Sequence, residues 1–95
     1  MDTIKNILDP KLFRDLALKH DIAYGIAIAK LRKLKKIRQY QIEGLSERHL
    51  RRIETGKQHA SIKNLQALST AHNMKLNDYL NKLAVYAGAA LALLT

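Results

Sequence analysis

The sequence predicts an all-α fold, a compact bundle of five to six helices, from three observations. Apolar residues recur at helical spacing along most of the chain, proline occurs once, and no strand-like alternation lies outside these helical stretches. The length of 95 residues fits one small domain, which can bury roughly 60 to 70% of its unfolded surface. Because the chain has no cysteine, packing must stabilise it without disulfides or thiolate metal sites.

Two consecutive helices are predicted in the first third of the sequence. Asp9 can accept hydrogen bonds from the exposed amides of a helix start, and Pro10 has its φ already set for the first turn. His20 and Asp21 then interrupt the apolar face, so we expect Asp21 to cap a second helix that runs through Lys36. The apolar positions of the first helix are Leu12, Phe13, Leu16 and Ala17.

The remaining elements are predicted from capping residues and helix ends. They are a short segment at 39–42, a helix at 46–55, a helix at 61–72 and a final helix that begins at residue 76. Ser46 and Ser61 can each accept a hydrogen bond from a free amide of the first turn. Gly56 and Asn73 tolerate the left-handed conformation that commonly ends a helix.

Positive charge is concentrated in the middle of the chain. The formal net charge is +9, and residues 30–63 contain eleven basic side chains against three acidic ones. Such a density repels itself on a solvated face and favours a phosphate backbone as partner. Charge alone leaves both nucleic acid and an anionic membrane surface open.

Four segments between residues 31 and 80 form a pattern of defined order and spacing. They are LRKLKKIRQ at 31–39, GLS at 44–46, LRRIETGK at 50–57 and SIKNLQALSTAHNMKLNDYL at 61–80. Together they resemble the helix-turn-helix family of phage repressors and Xre-type regulators, over about half of the chain. The resemblance implies a lambda-repressor-like fold whose second motif helix enters the major groove of double-stranded DNA.

The predicted recognition helix separates an apolar face from a basic one. At about 100° per residue, Leu50 and Ile53 lie together, whereas the arginines point the other way. Arginine can donate two hydrogen bonds to guanine, and glutamate can accept one from cytosine. The resemblance implies that bases are contacted by Ser46, Glu47, Arg48 and Arg52, and we expect Arg51 to join them. For Glu47, stabilisation of the helix start through the helix dipole is an equally good interpretation.

The resemblance also implies roles for residues around this helix. It implies an ion pair between Arg32 and Glu54, in which Glu54 is structural rather than catalytic. Burial of one partner alone would leave an uncompensated charge. Phosphate contacts are expected on both sides of the helix, from Arg38, Gln39, Lys57, Gln58 and His59.

The first helix of the motif is shorter here than in the family. Family members place a Leu-Ala pair and a few further residues before the turn glycine, whereas Ile42 and Glu43 directly precede Gly44. Either a few residues are missing, or Gln39 and Tyr40 occupy the positions of the pair. For Tyr40, packing is favoured over a role as phosphate donor.

Catalysis is not expected. The four histidines form no i, i+4 pair and no HExxH motif, and neither a glycine-rich phosphate loop nor a G-x-S-x-G turn is present. We expect surface or capping histidines, no catalytic residue, no metal and no cofactor. The first ten residues carry three ionisable side chains and no long apolar run, which favours a cytoplasmic protein.

The C-terminal segment 83–95 is free of charge and apolar nearly all round if helical. At 1.5 Å per residue it would span about 20 Å, short of a hydrocarbon core of about 30 Å. It must be covered, either by the N-terminal helix around Leu12, Phe13 and Leu16 or by a second subunit. We favour a homodimer, because two-fold operators need two recognition helices about 34 Å apart.

The sequence therefore predicts three parts and one main function. Residues 1–22 form an N-terminal helical extension, 23–82 the helix-turn-helix domain, and 83–95 a helix for dimerisation. The expected function is sequence-specific DNA binding in transcription regulation, as a repressor. The alternatives are a protein-interaction module, such as a DNA-binding antitoxin or a docking subunit, and peripheral attachment to a membrane.

Overall fold

The computed structural model describes residues 10–94, with side chains from residue 17 onward. Within this range the chain is all-helical and has no strand. Its elements are α1 (Pro10–Leu34), a 3-10 helix (Gln39–Gln41), α2 (Glu47–Glu54), α3 (Ile62–Ala71) and α4 (Leu76–Leu94). The described residues thus form four α-helices, against a prediction of five to six, because the first two predicted helices are one.

The predicted interruption at His20 and Asp21 is wrong. α1 continues through both residues, and its buried positions Ala23 and Ala27 extend the apolar face beyond them. The ring of His20 stacks on that of Tyr24 one turn later, with centroids 5.3 Å apart. The carboxylate of Asp21 lies 2.7 Å from the Nδ1 atom of His59. Both polar side chains therefore have partners outside the helix backbone, and Asp21 does not need to cap a new helix.

Three helices end with the same hydrogen-bond arrangement. Lys36, Gly56 and Asn73 have φ values of 58°, 75° and 56°. In each case the next residue donates its backbone N–H to the carbonyl oxygen five residues before it. At the end of α1, for example, Ile37 donates to Arg32 at 3.1 Å. This is the Schellman arrangement, which satisfies carbonyls at the helix end. The sequence indicated the ends at Gly56 and Asn73, but nothing marks Lys36, since lysine rarely adopts this conformation.

The core lies between α1 and the three other α-helices. α1 packs mainly against α4, where the small side chains Ala23, Ala27, Ala87 and Ala90 are all buried. The large core side chains are Ile28, Leu31, Ile42, Leu45, Leu50, Ile53, Leu68, Tyr79 and Leu83. Both α1 and α4 continue without a break across the boundaries predicted after residues 22 and 82. Residues 10–22 and 83–94 are therefore continuous with helices that build the core.

α4 has one covered and one exposed face. Leu83, Ala87 and Ala90 are buried, whereas Val85 is 72% and Leu93 89% exposed. Leu12, Phe13 and Leu16, which were expected to cover this helix, lie outside the residues whose side chains are described. None of the helices in the described part of the chain is both long enough and apolar enough to span a bilayer.

Gly25 lets α1 approach the end of α2 closely. A Cβ atom at this position would overlap the carbonyl oxygen of Ile53 and would lie 2.9 Å from that of Glu54. Gly56 provides a second close approach, since a Cβ there would lie 2.7 Å from the Cγ1 atom of Ile22. The role of Gly25 cannot be predicted from the sequence, because the crossing point of two helices distant in sequence is not visible in local patterns.

Two glycine-to-alanine substitutions should shift stability in opposite directions. Gly25→Ala should destabilise the fold by about 1–3 kcal/mol, because the added methyl meets backbone atoms that cannot rotate away. Gly88→Ala should stabilise it by about 0.5–1 kcal/mol, since alanine is the better helix former and no atom lies within 4 Å of the new Cβ. Urea unfolding of both variants measures the difference. A shift in the same direction for both would contradict the close contact.

His72 should make stability depend on pH. Its buried ring lies 2.7 Å from the carbonyl oxygen of Leu68, so Nδ1 donates there, and Nε2 has no partner among the described residues. Burial lowers the pKa of His72 from its ordinary value of 6.5; the hydrogen bond to Leu68 opposes this, and the charges of Lys35 and Arg32 lower the pKa further. The unfolded chain therefore binds a proton more readily than the folded chain does.

As pH falls through 6.5, the wild-type protein should therefore lose stability, and the loss should stop below the lowered pKa of the folded state. His72→Leu should remove this part of the pH dependence, whatever its effect at neutral pH. Chemical denaturation of both proteins between about pH 7.5 and 5 provides the comparison. Parallel stability profiles would show that the folded state does not oppose protonation of this ring.

Candidate nucleic-acid interface

α2 presents an apolar face to the core and a basic face to solvent. The hydroxyl oxygen of Ser46 caps the helix by accepting from the backbone N–H of His49 at 3.1 Å. Leu50 and Ile53 are 0% and 1% exposed. The three arginines of the helix, Arg48, Arg51 and Arg52, are all exposed. The separation of the two faces follows the angular spacing in the sequence.

A buried ion pair fixes α2 to α1. The structure brings Arg32 and Glu54 together through two hydrogen bonds, from Nε at 2.7 Å and from Nη2 at 3.0 Å. Their side chains are only 9% and 7% exposed. Arg32 also donates from Nη1 to the carbonyl of Ile37 at 2.9 Å, and Gln39 donates its side-chain amide to Glu54 at 3.0 Å. The pair thus joins α1, the following turn, the 3-10 helix and α2.

The expected base-contacting residues differ in how they are held. Glu47 pairs with Arg51 one turn later at 3.0 Å, and both side chains are largely exposed. Arg52 donates from Nε to the side-chain oxygen of Gln58 at 3.3 Å. Arg48 has no side-chain hydrogen bond or ion pair within the described range. All of these groups lie on or at the start of α2, with Ser46 occupied as the helix cap.

The expected phosphate contacts lie on both sides of α2. On one side, Arg38 and Tyr40 share a depression of about 450 Å³ with Lys33 and Glu47. Arg38 is exposed, whereas the side chain of Gln39 is already bonded to Glu54. The packing role expected for Tyr40 is wrong, because its side chain is 66% exposed. Its hydroxyl is therefore available to solvent or to a phosphate.

On the other side, the loop after α2 carries Lys57, Gln58 and His59. Lys57 is exposed, and His59 is exposed with its ring against Asp21 of α1. Gln58 is half-buried, and its side chain bonds to both Arg52 and His49. Of the three, only Lys57 has a side chain without a hydrogen bond inside the described part of the protein.

His49 is a polar contact that the sequence analysis missed. Its Nε2 atom lies 2.7 Å from the side-chain nitrogen of Gln58 and 3.4 Å from that of Asn64. The residue is half-buried at the border between the two faces of α2. Helical spacing could have predicted the border position of His49. At about 100° per residue, it lies roughly 40° from the buried Ile53 and 60° from the exposed Arg52. Its partners, however, lie in the next loop and in α3.

Comparison with protein-family models, curated proteins and solved structures gave no match to this chain. The resemblance to helix-turn-helix regulators is therefore carried by the chain's own residues, and DNA binding is a proposal. The geometry that supports it is a short basic helix with a buried apolar side, fixed from behind by an ion pair.

The buried and exposed ion pairs of α2 should differ in their contribution to stability. Glu54→Ala leaves Arg32 buried without its counter-charge, which should cost about 3–5 kcal/mol. Arg51→Ala removes an exposed i, i+4 pair worth at most about 1 kcal/mol, and Glu47→Ala serves as the matched loss of a carboxylate. Thermal unfolding of the three variants measures the difference. Comparable melting temperatures for Glu54→Ala and Arg51→Ala would contradict a structural role for Glu54.

Proposed function

We propose that this protein is a sequence-specific DNA-binding regulator, a repressor, that places α2 in the major groove. The observation that carries the proposal is the exposed arginine face of a helix whose opposite face is buried and whose last residue is tied to α1. A helix with its side chains is about 10–12 Å in diameter, which fits a groove about 12 Å wide. Arginine side chains on such a helix can reach guanine edges.

The surroundings of α2 support phosphate binding. Arg38 and Tyr40 precede the helix in sequence, Lys57 follows it, and all three are exposed. Cations in this arrangement can hold two phosphate strands without reading sequence. The segment 30–63 carries most of the net charge of the chain. The negative charge of Glu47 opposes the attraction between this surface and phosphates. Its ion pair with Arg51 and its place in the first turn of α2 offset part of that negative charge.

A homodimer is the assembly that fits this function. Two-fold operators are bound by two recognition helices about 34 Å apart, one turn of DNA. The exposed side of α4, with Val85 and Leu93, offers an apolar surface for a second copy. Val85 and Leu93 lie on a different helix from the arginines of α2, so the two proposed surfaces share no residue.

The same apolar face of α4 favours a second candidate function. Val85 and Leu93 are among the most exposed large apolar side chains in the described part of the chain. A protein-interaction module, such as an antitoxin or a docking subunit, would use this face as its main binding surface, with the basic helix in a supporting role. The two functions predict different behaviour toward DNA, since a docking module would bind duplexes weakly and without regard to sequence.

Titration of labelled duplexes tests the proposal directly. A site selected from random DNA should bind at least about 10³-fold more tightly than random duplex at physiological salt. Arg48→Ala and Arg52→Ala should each cost about 1–3 kcal/mol on the selected site and little on random DNA. Lys57→Ala should weaken both and lower the salt slope by about 1.

Lys19→Ala is the matched control, because it removes one exposed lysine from α1, outside the basic segment 30–63. It should change neither affinity nor salt slope. Equal losses on selected and random DNA for the arginine variants would show that these residues contact phosphates only. Affinity that ignores sequence in the wild-type protein would favour the docking module.

A further inference from the structure

A chain of polar contacts connects the inner edge of α2 to one arginine of its exposed face. The side-chain oxygen of Gln58 accepts from Nε of Arg52 at 3.3 Å, and the side-chain nitrogen of Gln58 lies 2.7 Å from Nε2 of His49. Asn64 of α3 places its amide nitrogen 3.4 Å from the same Nε2 atom. Four side chains from α2, the following loop and α3 therefore form one network.

The direction of each hydrogen bond follows from what the groups can donate. A guanidinium group only donates, so Gln58 must present its carbonyl oxygen to Arg52. The amide nitrogen of Gln58 then faces His49, and Nε2 of that ring must accept while Nδ1 carries the proton. Asn64 donates to the same acceptor. The half-buried histidine thus fixes which end of the Gln58 amide faces the exposed arginine.

We propose that His49 and Gln58 are positioning residues that orient Arg52 toward a guanine and thereby set the sequence preference of α2. This inference rests on the proposed function. Gln58 holds Nε of Arg52, and no side chain in the described range bonds to the Nη1 and Nη2 groups of this arginine. These two groups supply the paired donors that match O6 and N7 of guanine.

The three arginines of α2 then have different roles. Arg51 is held by Glu47 along the helix, and Arg48 has no comparable contact within the described residues. Only Arg52 is anchored to an element outside α2, through Gln58. An arginine that is ordered before binding loses less rotamer freedom when it contacts a base, which increases both affinity and discrimination.

The network also changes the role expected for Gln58. A phosphate contact from its side chain would require the amide to leave its bonds to Arg52 and His49. In the positioning role, the side chain stays in place, and the contribution of Gln58 is made through Arg52. The two roles predict different patterns of loss across DNA sequences.

The first test uses the free protein and does not depend on DNA. Gln58→Leu removes the amide at similar size, and His49→Leu removes the acceptor; both should lower the NMR order parameter of the Arg52 Nε–H bond and speed exchange of that proton. His49→Gln provides an amide oxygen in place of Nε2 and should restore both values. The Arg51 Nε–H signal is the internal control, and thermal unfolding checks that every variant is folded.

The second test uses the selected duplex and all of its single base-pair substitutions. Arg52→Ala should abolish discrimination between bases at one base pair of the site. At that same base pair, Gln58→Leu should reduce the discrimination about tenfold, and at the other base pairs it should leave discrimination nearly unchanged. In the Arg52→Ala background, Gln58→Leu should have no further effect, since positioning residues act through the arginine. His49→Leu should show the same pattern, and His49→Gln should recover most of the lost discrimination.

Two results would overturn the positioning role. One is an Arg52 Nε–H bond that is equally ordered in the wild-type protein and in Gln58→Leu. The other is a loss with Gln58→Leu that is uniform over all duplexes and additive with Arg52→Ala, which is the behaviour of a phosphate contact. A wild-type protein without sequence preference would instead overturn both base contacts by Arg52 and the proposed function. In that case the NMR experiment would still show whether Gln58 and His49 order the Arg52 side chain.

Discussion

The ion pair between Arg32 and Glu54 is the contact on which the arrangement of α2 depends. Two planar groups meet through paired hydrogen bonds where water is largely excluded. Such a pair is stable only when the remaining donors and acceptors are also satisfied, and the carbonyl of Ile37 and the amide of Gln39 do this here. The Glu54 charge also reaches Tyr79 in the core, where it adds to burial in raising the pKa of the phenol. One carboxylate therefore links the exposed helix to the interior.

The importance of this pair follows from the short element that precedes α2. Between α1 and α2 the structure has only a three-residue 3-10 helix, which is too short to bury an apolar face of its own. Ile42 and Leu45 after it are buried and supply the packing that a longer helix would provide. α2 is thus held by the close approach at Gly25 and by the ion pair, while Ile42 and Leu45 pack in the core that also contains Leu50 and Ile53. The short 3-10 helix therefore does not have to position α2 alone, because α2 is also held by α1.

Local chemistry was enough to predict the parts of the fold that depend on a few adjacent residues. The caps at Ser46 and Ser61 are confirmed, since each side chain accepts from a backbone N–H three residues later. The helix end at Asn73 is confirmed by the left-handed backbone of that residue. Gly25 and His49 were not given their roles, because their partners are distant in sequence. The ion pair could be anticipated only through a resemblance, as spacing alone does not show that residues 32 and 54 meet.

The use of acidic residues in the basic segment connects stability to function. Residues 30–63 contain three carboxylates, and the structure uses two of them internally, Glu54 with Arg32 and Glu47 with Arg51. Glu43, the third, has no ion pair in the described part of the chain. The remaining cations of the segment repel one another in the free protein, at a cost that salt reduces. Their counter-charge must come from outside the described chain, and this need is the electrostatic basis of the proposed DNA binding. In the proposed complex, the phosphate strands that border the groove would supply that counter-charge at a regular spacing.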